Sequence, residues 1–306
     1  MSVLEAFLLG LVQGISEFLP VSSSSHLAVF SELLDLGSVP LLFDVLLHVA
    51  TLCSVLIVFR KKIGALFLSL FRFLGVLAAK SEKHGAAVPA DPAALDETAE
   101  PANRPACSGL KGKWESLDDG TRRDMRWILA LLIATAATGV LGLLVKDFAE
   151  HLKPAWISVL FVVTGILLIL SGRMRQDKAS EDVGPGQALF IGLAQGVGVL
   201  PGLSRSGITI SAALFAGVKR SSAGEFSFLL SIPAIAGAFV LELGDAGNLA
   251  GSVSFPALAV GMATAFVSGL VSMKLLLRLI NRGKLGWFAC YLIPAGIAFA
   301  VYFLTR

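Results

Sequence analysis

Two short segments, Glu17-Phe18-Leu19-Pro20-Val21-Ser22-Ser23-Ser24-Ser25-His26 and Pro201-Gly202-Leu203-Ser204-Arg205-Ser206-Gly207-Ile208-Thr209, set a carboxylate, an imidazole, a guanidinium and many hydroxyls inside otherwise apolar sequence. Ionisable groups at membrane depth are costly and mark sites. Gln13 and Glu17 are four residues apart and share one helix face. A carboxylate with an amide oxygen suits a hard cation, Mg²⁺ or Ca²⁺, while the same Glu17 can instead pair with a basic residue between helices. Ser22 to Ser25 offer hydroxyls and N–H groups just before a helix starting near His26, where free amides attract phosphate oxygens. Small residues there also let membrane helices approach closely. His26 can act as acid, base or nucleophile toward phosphorus, or be a hydrogen-bonded interior histidine. His48, with no polar companions nearby, reads as the latter.

Arg205 is the most telling single residue, because its planar fork matches phosphate bidentately and an unpaired guanidinium at this depth is expensive. The alternative is a structural Arg bonded to Glu17, Asp44 or Glu225. Ser204, Ser206 and Thr209 can hold further phosphate oxygens, and Gln195 is the repeat mate of Gln13. Asp44 and Glu225 begin matching spans, where a carboxylate also complements the helix dipole, so both are supporting candidates. The whole set is anion-binding equipment with acid/base capacity, and phosphate ester or anhydride chemistry fits it.

The two segments are copies. A shift of 181 positions lays Pro20 on Pro201, Ser23 on Ser204, Ser25 on Ser206 and Asp44 on Glu225. One residue of slippage matches Gly10-Leu11-Val12-Gln13-Gly14 to Gly192-Leu193-Ala194-Gln195-Gly196. Doubled hydrophobic segments broken by Pro and Gly point to a binding site at a repeat interface in the membrane.

Six stretches have the roughly 20 apolar residues that a membrane span needs: about 41–59, 127–146, 154–172, 225–243, 254–277 and 286–304. Residues 3–36 and 185–218 are broken too early for either half to span, so both read as re-entrant helical hairpins, allowed where protein or a wet cavity satisfies the backbone. The stretch 63–79 reads as an interfacial helix. Arg60, Lys61, Lys62, Arg122, Arg123 and Arg126 put the loop after the first span in the cytoplasm, as do Arg173, Arg175 and Lys178 after the third and Arg278, Arg282 and Lys284 after the fifth. Both termini then lie outside. Each repeat, 1–172 and 173–306, is a hairpin plus three spans, and the odd number of crossings inverts the second copy. The expected fold is an all-α integral membrane protein of six transmembrane helices plus two re-entrant helical hairpins in an inverted repeat. Residues 81–121, within the cytoplasmic loop 80–125, are Ala-, Pro- and charge-rich and read as disordered or loosely helical.

With 55% hydrophobic and 15% charged residues, the 306-residue chain has too little polar surface for a water-soluble globule. Its net charge of +3 and clustered cations suit bilayer orientation, not nucleic-acid binding. Cys53, Cys107 and Cys290 are far apart and read as packing residues, with neither a disulfide framework nor a thiolate metal site. The start lacks a basic region and a cleavage site, so Met1 onward reads as mature protein.

The Gln13-x-x-x-Glu17 spacing, the following Phe-Leu-Pro-Val-Ser-Ser with His26, the Pro201-to-Thr209 segment and Glu225-Phe-Ser-Phe-Leu-Leu closely resemble the bacterial undecaprenyl-diphosphatase family, also called bacitracin-resistance proteins. The resemblance covers nearly the whole chain apart from 81–121. It implies a multi-pass enzyme of the bacterial inner membrane with inverted repeats and re-entrant helices. Such an enzyme converts undecaprenyl diphosphate to the monophosphate for cell-wall synthesis, with a divalent cation and a site open to the extracytoplasmic side. By motif, Glu17 helped by Gln13 would hold the cation, Arg205 would clamp the diphosphate, and Ser23 and His26 would lie at the scissile phosphate. Ser22, Ser204, Ser206, Thr209 and Gln195 would complete the substrate cradle. Two positions depart from the family pattern: Gln13 stands where it has Glu or Gln, leaving Glu17 the lone strong ligand of its pair, and Ser24-Ser25 replaces a common Thr-Gly. A transporter or flippase of polyprenyl phosphate needs the same midplane cradle and is the rival reading; a homodimer is one assembly open to the chain.

Overall fold

The computed structural model describes residues 1–34, 36, 41–78, 110–152, 154–245 and 253–304. Among these the chain is helical: α1 Val3–Phe18, α2 Ser23–Leu33, α3 Leu41–Val58, α4 Arg60–Ala78, α5 Leu110–Glu115, α6 Asp119–Glu150, α7 Pro154–Gly172, α8 Pro185–Val197, α9 Arg205–Phe215, α10 Arg220–Asp245, α11 Phe255–Asn281 and α12 Ala289–Leu304. A 3-10 turn, Leu285–Phe288, precedes α12, and the only β-type contact among the described residues is an isolated bridge between Ser180 and Val218.

Both broken segments form the short helix pairs that their punctuation predicts. In the first, Ser2 and Glu5 form a capping box that starts α1. Pro20 has no N–H to continue that helix, and the chain turns through Ser22, whose φ of 69° is the one non-glycine left-handed backbone among the described residues. In the second, Pro185 starts α8, Pro201-Gly202 breaks the run, and the Ser204 hydroxyl accepts the Gly207 N–H to cap α9. None of the four helices exceeds 16 residues, about 24 Å at 1.5 Å per residue, so none crosses the hydrocarbon unaided.

Four helices are long and apolar enough to cross a membrane, in the windows 119–149, 220–240, 255–281 and 285–302; a fifth is counted when α3 and α4, joined at Phe59, are taken as one broken span. The remaining apolar helix, 156–172, falls short of that length. The described helices therefore support a multi-pass membrane protein with four to five candidate spans, fewer than the six expected. Hydropathy marks where apolar residues run, while helix caps and breaks set how far one helix continues. The helices lie close to the expected stretches, and α6 extends well upstream of 127.

Two compact units are present: Met1–Arg60 with Trp127–Arg306, and Lys61–Arg126. In the larger, α1 packs along α11, α3 on α11 and α10, α9 on α7, α8 and α10, and α7 on α12. The α1–α11 seam is close: a Cβ on Gly14 would lie 2.4 Å from the Ala265 carbonyl oxygen. The same device joins α8 to α6, where a Cβ on Gly192 would lie 2.4 Å from the Ala134 carbonyl oxygen and the Thr138 hydroxyl donates to the Gly192 carbonyl at 2.9 Å. Polar side chains such as Gln13, Glu17, Thr51, Ser54, Gln195 and Thr209 are buried, while Leu132, Leu144, Phe148, Val267 and Val271 face outward. Cys53 and Cys290 are also exposed, so these two are not core packing residues; a small thiol is tolerated on a lipid-facing surface. Cys107 lies outside the described residues.

The smaller unit is held by polar contacts: Asp124 accepts from Ser69 at 2.8 Å and from Lys62 at 3.4 Å, Lys113 donates to the Leu77 carbonyl, and Phe73 packs edge-on against Trp114. In α4 the large residues Phe67, Leu68, Phe71 and Leu74 are exposed, an apolar face that either an interfacial helix or half of a broken span presents to lipid. Of the stretch 81–121, expected to be disordered or loosely helical, residues 81–109 lie outside the described residues, and 110–115 and 119–121 are helical.

Candidate functional site

A cavity of about 200 Å³ opens where the two broken segments meet, bordered by Ser22, Ser23, Ser24, Ser204 and Arg205 at the helix starts and by Glu17 and His48. Val45, Val199, Leu203, Ile235, Ala238 and Phe239 supply its apolar walls. Glu17 arrives on the last turn of α1. Ser23 and Arg205 are each the first residue of their helices, α2 and α9, so both side chains stand beside a ring of N-terminal amides. Ser22, the N-cap of α2, makes no side-chain cap bond, which leaves first-turn N–H groups of that helix for another acceptor. Together these groups form an anion cradle.

The Arg205 Nη2 donates to Glu17 Oε1, joining the two segments across 188 residues of sequence. The Glu17 side chain is 2% exposed and that of Arg205 28%, so the carboxylate is held within the protein and the guanidinium reaches the cavity. On its other oxygen, Glu17 Oε2 accepts the Ser23 hydroxyl at 2.7 Å and the Gln13 amide at 3.2 Å. The Ser23 hydrogen is thereby directed at a carboxylate and its oxygen lone pairs toward the cavity.

His26 is not among the residues bordering this cavity. Its Nδ1 lies 2.8 Å from the Ser22 carbonyl oxygen and its Nε2 2.6 Å from the Tyr291 hydroxyl, so both ring nitrogens are engaged between α2 and α12. His48 corrects the sequence reading. It borders the cavity, with Nδ1 2.9 Å from the Asp44 carbonyl oxygen and Nε2 3.7 Å from Glu17 Oε2. The sequence signal was Asp44, four residues earlier on the same helix face, whose carboxylate lies 3.7 Å from the His48 Nδ1.

The expected substrate-binding residues divide between two places. Ser22 and Ser204 border the main cavity. Ser206, Thr209 and Gln195 instead line a pocket of about 10 Å³, together with Glu17 and Arg205, Ser227 and Ser231. That is room for about one water and too little for a phosphate. Ser206 donates to the Phe18 carbonyl at 2.9 Å, Thr209 bonds the Arg205 carbonyl and the Ser227 hydroxyl, and Gln195 donates to Thr138 at 3.4 Å. Ser206 thus ties the second segment to the first, Thr209 ties α9 to α10, and Gln195 ties α8 to α6. Gln13 is fully buried behind Glu17, and its Oε1 has no hydrogen-bond partner among the described residues. Glu225 borders neither cavity.

Known proteins match this chain over nearly its whole length. Residues 6–298 match the family model described as bacitracin resistance protein BacA. The chain is 45% identical to an undecaprenyl-diphosphatase of Treponema denticola, over 99% of this chain and 98% of that protein. It is 38% identical to one of Desulfatibacillum aliphaticivorans, over 97% and 98%, and 35% identical to one of Carboxydothermus hydrogenoformans, over 98% and 97%. The matched span includes both broken segments and every residue of the cavity, and the chain belongs to the bacitracin resistance protein BacA family.

Proposed function

We propose that this chain is an undecaprenyl-diphosphatase of the bacterial inner membrane, which hydrolyses undecaprenyl diphosphate to undecaprenyl phosphate and inorganic phosphate. That reaction recycles the lipid carrier for cell-wall synthesis and fits the bacitracin-resistance role of the family. The observation that carries the reading is the Glu17–Arg205 pair at a cavity onto which two helix N-termini open. A cavity of this size takes a diphosphate head but not a long prenyl tail, which would lie along the outward-facing apolar helices, where buried area supplies binding energy.

In this mechanism Arg205 and the first-turn amides of α2 offset charge on the equatorial oxygens of the terminal phosphate. Ser23 attacks in line, because its hydroxyl is already aligned by Glu17 and faces the cavity. As the Ser23 oxygen–phosphorus bond forms, the hydroxyl proton passes to Glu17 Oε2 and the bond to the bridging oxygen breaks, releasing undecaprenyl phosphate; water then attacks the phosphoserine, releasing inorganic phosphate and restoring the serine hydroxyl and the Glu17 carboxylate. Phosphoryl transition states are loose, so positioning and electrostatics carry most of the acceleration. His26, bonded to the Ser22 carbonyl and Tyr291, sets the backbone that presents Ser23.

A divalent cation, Mg²⁺ or Ca²⁺, is part of this proposal. The donor set fits one: a buried carboxylate backed by an amide whose oxygen lacks a partner among the described residues. Glu17, helped by Gln13, would hold it, and it would supply further neutralisation of the phosphate oxygens.

The inverted repeat and the extracytoplasmic opening belong to the same proposal. Support comes from the exchanged pairing: the first broken segment packs on α11 of the second half and the second on α6 of the first half, each through glycines. The deciding experiment measures inorganic phosphate released from a prenyl diphosphate by the purified chain in detergent, with and without chelator. Release that chelator stops and added cation restores is the expected result. A transporter or flippase, having no sidedness to work against in detergent, would release none.

A further inference from the structure

We infer that His48 is a nitrogen ligand of the divalent cation, and that it moves the preference of the site from Ca²⁺ toward first-row transition ions such as Mn²⁺. The inference rests on the cation site proposed above. With an amide at position 13, Glu17 is the lone carboxylate on its helix face, and among the described residues no three His, Cys, Asp or Glu side chains converge on one point. The strong donor that does face Glu17 across the cavity wall is the imidazole of α3.

Two features of that imidazole suit a ligand. Its Nδ1 lies 2.9 Å from the Asp44 carbonyl oxygen, so Nδ1 carries the hydrogen and Nε2 presents its lone pair. Metal-binding histidines are held in this way, by a hydrogen bond from the other ring nitrogen to a carbonyl or carboxylate. The separation of Nε2 and Glu17 Oε2, 3.7 Å, is too long for a good hydrogen bond. Two ligands with bonds near 2.1 Å sit about 3.4 Å apart across a tetrahedral angle, so small adjustments bring both onto one ion. An imidazole in an otherwise oxygen-donor set favours transition ions, whereas all-oxygen sites suit Mg²⁺ and Ca²⁺.

The test is electron paramagnetic resonance of Mn²⁺ titrated into the purified full chain in detergent, without lipid substrate. Nitrogen-14 coupling to the bound Mn²⁺ is expected in the unaltered protein and absent in His48→Ala, with Mn²⁺ affinity lowered at least about tenfold, since loss of a supporting partner alone costs that much. The Ca²⁺ excess needed to displace Mn²⁺ should fall in the same variant. Should His48→Ala fail to fold, the nitrogen coupling in the unaltered chain decides alone. Lack of that coupling, as an imidazolium simply paired with Glu17 would give, overturns the inference, as does Mn²⁺ affinity unchanged in a folded His48→Ala. A chain that shows the coupling but releases no phosphate would sink the phosphatase reading and leave this ligand in place; phosphate release without coupling would do the reverse.

Discussion

The two broken segments share a backbone plan and carry opposite charge. Each has a first helix ending in a polar break and a second helix whose first residue meets the cavity, Ser23 in α2 and Arg205 in α9. Each also carries a buried glutamine, Gln13 or Gln195, with an unpartnered carbonyl oxygen among the described residues. Four residues on, the first has Glu17 and the second Val199. Two similar helix starts thus carry different side chains, and the difference at these positions separates the charges. One segment holds the carboxylate and hydroxyl, the other the guanidinium.

The largest expected effect comes from removing the charge of the second segment. Arg205→Ala should lower phosphate release by about 10²–10³-fold or more, the loss typical of one preorganised charge-stabilising group. It also leaves the buried Glu17 carboxylate without its guanidinium, which costs about 3 kcal/mol. Glu17→Gln combined with Arg205→Ala should therefore recover much of the thermal stability in detergent and none of the activity. Recovery of activity would show that the pair is only structural.

Next comes Ser23→Ala, expected to lower phosphate release by at least about a hundredfold while the apparent unfolding temperature stays near that of the parent; normal turnover would remove Ser23 as the attacking group and leave water. A comparable test of mounting compares Gly10→Ala with its repeat mate Gly192→Ala, where a Cβ would meet the backbone of Gly261 and of Ala134. Each new Cβ meets backbone across its seam, so both should destabilise by about 1–3 kcal/mol in detergent unfolding, and a cost at only one would break the equivalence of the two segments. Smallest is Tyr291→Phe, which removes one hydrogen bond to His26, worth about 1 kcal/mol. Its turnover should fall several-fold, and His26→Ala, which removes both bonds, should lose more.

Much of this was legible because membrane burial makes polar residues conspicuous. Pro20 and Pro201-Gly202 announced the breaks, and an Arg at depth demanded a partner, which is Glu17. Span counting read less well: apolar runs at 41–59 and 154–172 are helical, yet α3 ends at Val58 with α4 following at once, and the apolar helix 156–172 is short. His48 looks isolated in sequence because its immediate neighbours are apolar, whereas Asp44 lies one helical turn away and Glu17 is distant in the chain. Ser206, Thr209 and Gln195 read as further phosphate ligands because their residue types allow it; the fold buries them in the small pocket, bonded to Phe18, Ser227 and Thr138.

By itself the sequence determined the membrane setting, the two interruptions and the kinds of group available, since the thermodynamic expense of polar groups in hydrocarbon is local and can be read residue by residue. Only the tertiary structure decided which groups share a cavity. Glu17, Ser23, His48 and Arg205 lie on four different helices, and what brings them together is close glycine packing between segments far apart in the chain, a property no local pattern encodes.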